Sequence, residues 1–141
     1  MNKPVISFEG YKITNIDYKS FAEEEEMIEF LEADNFEEIE DNANLAVGVG
    51  ISDDQAVGNV RLTNYLVEKK NLRIVTIEIT GQFSLNTDSP RKFLSENGSA
   101  ILFPYLRATT SMITSLDNEN AIILPTFNFS NTYQSVDDGN E

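Results

Sequence analysis

From Leu102 onward, side chains recur at three- and four-residue steps at Leu102, Tyr105, Leu106, Thr109, Met112, Ile113 and Leu116. That spacing predicts a helix with one continuous apolar stripe, which needs a broad surface to cover it. Asn97-Gly98-Ser99 reads as a turn and N-cap, placing Pro104 within roughly the first helical turn, where a missing N–H costs little. Asp117-Asn118-Glu119-Asn120 offers a polar exit. Beyond it Ala121 to Leu124 is a short apolar run, Pro125 stops regular pairing, and Phe127 and Phe129 alternate as in an extended segment.

The residues ahead of this helix read as strands. Ile6 and Phe8 share one parity, Tyr11 and Ile13 the other, and Ile16 and Tyr18 return to the first. A strand from about Val5 to Lys19, bulged at Gly10 and at Thr14-Asn15, accounts for both switches. Leu45, Val47, Val49 and Ile51 alternate with Ala46, Gly48 and Gly50, so a second strand has an aliphatic face and a nearly bare one. Either a bulky partner or the chain's own helix can occupy the bare side. Two longer strands, Val57 to Glu68 and Leu72 to Leu85, follow around a Lys69-Lys70-Asn71 turn, and Pro90 to Asn97 is a connector or short helix. The expected class is α+β: a four-stranded antiparallel sheet with a long C-terminal amphipathic helix packed on it.

Composition narrows the chemistry. At 141 residues the chain has room for one domain, expected over residues 1–133, with a short acidic polar tail at 134–141. It contains no Cys and no His, which excludes disulfides, thiolate metal sites, cysteine nucleophiles and imidazole bases. No phosphate-binding glycine loop is present, and no carboxylate pair stands in a hydrolase arrangement. No catalytic residue, metal site or cofactor is therefore expected, and the protein is read as a non-enzyme. The N-terminal residues carry no signal-peptide core and no run is long enough to span a bilayer, so a soluble, cytoplasmic protein without membrane insertion is expected.

The formal net charge is -14, which opposes binding to nucleic acid. The acid is concentrated: Glu23 to Asp41 holds 11 Asp and Glu in 19 residues, and no Lys or Arg occurs between Lys19 and Arg61. The stretch from Phe21 to Ile39 is expected to be a short helix within a loop. It can serve as a solvated flank, or as one that attracts basic partners. Phe21, Met27, Phe30, Leu31 and Phe36 lie in it, and they can either tuck the loop onto the sheet or form a shallow groove for unfolded chains.

Two linked motifs resemble the SecB protein-export chaperone family. They are Leu102-Phe103-Pro104-Tyr105-Leu106-Arg107, then Leu124-Pro125-Thr126-Phe127-Asn128-Phe129 with Tyr133 beyond, and Gly81-Gln82-Phe83-Ser84-Leu85 is similar to the end of that family's last strand. The resemblance implies an ATP-independent holdase that binds unfolded polypeptide or preprotein clients for protein export and translocation. It also implies a homotetramer, a dimer of dimers, with Phe103, Tyr105, Leu106, Met112, Ile113 and Leu116 divided between core and subunit interface. Arg107 is expected to anchor the helix through a nearby carboxylate. Many relatives dock on the SecA motor through a zinc-binding Cys and His tail, so any docking here is expected to occur without one. A client-specific SecB-like chaperone, such as a toxin-antitoxin partner, and an acidic protein that mimics nucleic acid remain as alternatives.

Overall fold

The computed structural model describes residues 4–117 and 120–130, and Tyr133 and the expected tail lie outside them. Strands β1 (Ile6–Ser20), β2 (Asn42–Ile51), β3 (Val57–Glu68) and β4 (Arg73–Leu85) form one antiparallel sheet in the order β1-β4-β3-β2. The register explains the parity switches of β1. Phe8, Tyr11, Ile13, Ile16 and Tyr18 sit opposite Phe83, Gly81, Ile79, Ile77 and Val75, with shifts at Phe8/Gly10 and Ile13/Asn15. Each bulge inserts one residue and so returns the next apolar side chain to the same face. Gly10 has φ 130°, a backbone angle that a side chain would strain.

A helical run covers that face. It begins with α2 (Pro90–Phe93), passes through a π turn (Leu94–Gly98) and continues as α3 (Ser99–Thr114). The expected turn and cap at Asn97-Gly98-Ser99 do not form: Gly98 has right-handed helical angles and no side chain caps the backbone. Its small size serves packing instead, because a Cβ there would lie 2.9 Å from Val60 Cγ2. Pro104 consequently lies in the interior of the helical run rather than in its first turn, and the Ala100 carbonyl lacks its usual N–H partner.

The predicted stripe is split. Leu102 and Leu106 are buried with Val60, Leu62, Val75, Ile77, Ile79 and Phe83, while Tyr105 and Met112 face outward and Leu116 lies past the helix end. Burying each of those two leucines contributes on the order of 2 kcal/mol before conformational entropy is counted. The return segment, 121–130, has no regular secondary structure, and its Leu124 and Phe129 enter the same core.

The acidic block folds onto one end of the opposite face. Helix α1 (Glu24–Leu31) and a 3-10 turn (Phe36–Glu38) cover Val67 and Ile74 through Phe21, Met27 and Ile39. The bare face of β2 is not filled by a helix. Arg61 and Asn59 of β3 lie across it, with Arg61 Nη2 only 2.8 Å from where a Cβ on Gly48 would be. The alternation reveals a bare face but not which long neighbouring side chains will cover it.

Candidate functional site

An apolar groove of about 520 Å³ runs between α3 and the return segment, lined mainly by Phe103, Pro104, Arg107, Ile123, Phe127 and Phe129. Phe103 forms its floor, with Phe127 edge-on at 5.2 Å and Phe129 at 5.6 Å between ring centroids. Such aromatic arrangements add modest directional attraction to plain burial. Ile123 stands 66% exposed on the rim. Arg107 is exposed here and makes no ion pair or hydrogen bond among the described residues, so it is not the expected anchor.

That anchoring falls to Arg73, a residue sequence reading passed over. Fully buried, its guanidinium donates to Tyr18 Oη at 3.0 Å, to the Thr114 carbonyl at 2.8 Å and to the Asn120 carbonyl, and pairs with Glu68 and Asp117. Burial opposes the charge, but the bonds to Glu68 and Tyr18 outweigh it and hold the guanidinium above its ordinary pKa. Tyr18 donates in turn to Asp117; burial, followed by that bond, raises its phenol pKa. The signal was a lone cation at the head of an apolar strand, Arg73-Ile74-Val75.

The sequence-predicted groups separate. Phe21 and Met27 are buried beneath the acidic block, Leu31 and Phe36 are half-buried against it, and Phe30 is 51% exposed. Lys19 Nζ stands 4.6 Å from the Phe30 centroid and Lys69 Nζ stands 4.7 Å from that of Phe36, so two of the chain's own cations lie over these rings. On the other side of the molecule, Phe103 and Leu106 are core, Ile113 packs at the core edge, and Tyr105, Met112 and Leu116 are exposed.

The exposed members join a surface that helix periodicity alone did not reveal. Tyr105 packs in a tilted pair with Tyr11 at 4.5 Å and stacks on Phe8 at 5.6 Å between ring centroids, and Ile13 and Ile16 continue along the same strand face as large exposed side chains. An apolar face of β1 and α3 is thereby left uncovered by the described chain.

Strand β2 is at the sheet edge, and among the described residues no strand pairs with its outer side. Ser52 N–H donates to Val57 O, which sets the hydrogen-bonding alternation and points the main-chain groups of Ala43, Leu45 and Val47 away from β3. Its residues, 42–51, include no charge. Among the described residues no cluster of three metal-ligating side chains occurs, and no helix is long and apolar enough to cross a membrane.

The sheet order and the helix laid across it define a SecB-like fold. The SecB-like chaperone Rv1957 of Mycobacterium tuberculosis, in complex with a ChAD peptide from the Rv1956 HigA1 antitoxin, superposes with a TM-score of 0.65 over 86% of this chain and 87% of that one, at 10% identity. A protein of unknown function from Streptococcus agalactiae is also similar, with a TM-score of 0.58, 14% identity and coverage of 86% and 97%. No family model matches the sequence, and no curated protein matches it.

Proposed function

We propose that this protein is an ATP-independent holdase that binds non-native polypeptide segments, and that it acts by association rather than catalysis. The observation that carries this is the apolar groove between α3 and the return segment, open on a strongly acidic molecule. Binding an unfolded chain lowers its free energy and delays its folding or aggregation, and many weak apolar contacts add along its length. The uncharged edge of β2 suits main-chain pairing with an extended client.

Phe30, Leu31 and Phe36 supply a second, smaller contact in this reading, while Phe21 and Met27 support it from below. The β1–α3 face joins copies of the chain, with Tyr105, Met112 and Leu116 at the interface of a homotetramer built as a dimer of dimers. The client range is either preproteins in export or one dedicated partner. A broad client range is the leading reading, the antitoxin peptide on the mycobacterial neighbour supports one dedicated partner as the alternative, and the sequence contains no Cys or His with which to bind zinc.

Affinity for a chemically unfolded, carboxymethylated polypeptide tests the placement. Ala108→Asp with Ser111→Asp, on the α3 wall of the groove, should weaken binding by about tenfold or more, since each charge set against an apolar contact costs on the order of 1 kcal/mol or more. Phe30→Ser with Phe36→Ser should weaken it less. Unchanged affinity in the first pair, with the fold intact, would remove the groove from the client path.

A further inference from the structure

Ten residues, 121–130, lie against α3 and the sheet with no main-chain to main-chain hydrogen bond among the described residues. Among the described residues, two polar tethers hold the segment to the body, one just before its start and one at its second residue. Arg73 Nη2 donates to the Asn120 carbonyl, and the Ile122 N–H donates to Thr114 Oγ1 at 2.7 Å. Further along, the polar contact is local, from Ser130 N–H to Asn128 Oδ1, and attachment rests on Leu124, Phe127 and Phe129 packed around Phe103.

A segment held by side-chain burial and an end tether has a low cost of local opening compared with a laddered strand. Its chemistry is also that of a client. Leu124-Pro125-Thr126-Phe127-Asn128-Phe129 is an extended apolar stretch seated on an aromatic floor.

We propose that residues 120–130 are a strap that opens as a unit while sheet and helix stay folded, and that the strap competes with a client for the Phe103 floor. Arg73 and Thr114 set the balance between closed and open. This rests on the holdase reading, in which the strap is an internal surrogate that shields the floor until a client takes its place. Because only the open form binds, apparent affinity follows the open fraction.

Amide exchange in the client-free protein tests the strap. In the wild type, amides of 121–130 should exchange well ahead of those in β3 and β4. Thr114→Val removes the acceptor for Ile122 and should speed strap exchange by on the order of tenfold without changing β3 or β4, while Thr114→Ser, which keeps the hydroxyl, should match the wild type. The Val variant should also bind the carboxymethylated polypeptide tighter by a similar factor. Strap exchange at the rate of β3 and β4, a uniform acceleration of the whole chain by Thr114→Val, or faster strap exchange with unchanged client affinity would each overturn the proposal. A wild type that binds no unfolded client at all would refute the holdase reading instead, and exchange would still decide whether the strap opens.

Discussion

Arg73 stays charged inside the protein because its donors are matched to acceptors from four parts of the chain: Tyr18 on β1, Glu68 on β3, Thr114 at the end of α3, and Asn120 just ahead of the return segment. Removing the guanidinium strands the buried Thr114 carbonyl and takes the cation from Glu68. Arg73→Met is therefore expected to cost about 3 kcal/mol in urea unfolding, since each unsatisfied buried acceptor costs roughly 1–3 kcal/mol. A loss below about 1 kcal/mol, the scale of an exposed ion pair, would contradict that role. The sequence hides this residue, since all four partners are remote from it or on another element. Arg107 attracts attention for standing on an apolar helix, but its exposure removes any need for a partner.

At the scale of elements, alternation was strong enough to place β2 and β3 and to locate both bulges in β1. Hydrogen-bond ladders enforce the two-residue period, so the pattern survives in the bare sequence. The start of the helical run was not legible. Asn-Gly-Ser is a turn signal locally, but tertiary packing against Val60 needs a small helical residue there, and the π turn carries the chain through. The division of the helix stripe was equally hidden, because the width of the sheet decides which residues remain uncovered. That division yields a definite expectation for assembly. Tyr105→Asp with Met112→Asp places two charges on the exposed β1–α3 face and should give smaller species by mass measurement, with the fold retained. A folded double variant of unchanged mass would take those side chains out of the interface.

The whole molecule has an apolar helix face and, on the opposite side of the sheet, a structured acidic block that folds through Met27, Phe21 and Ile39. Its aromatic residues were visible in the sequence, but which of them are consumed in seating it was not, since four-residue spacing does not distinguish a helix pressed to a sheet from one facing solvent. The groove beside α3 was less legible still. Only the path of the return segment brings Ile123 and Phe127 to Phe103 and Pro104, although the linked Leu-Phe-Pro-Tyr and Leu-Pro-Thr-Phe-Asn-Phe motifs signalled that the two stretches belong together.

The central claim is most directly tested by aggregation of several chemically unfolded clients, of different charge, at low and high salt. A holdase suppresses aggregation of many clients, keeps most of that effect when salt screens its acidic surface, and shows only a modest preference for basic chains. Suppression of a single client would narrow it to a dedicated chaperone. No suppression of any unfolded client, together with steeply salt-dependent binding to basic folded proteins, would contradict the account and favour an acidic mimic of nucleic acid.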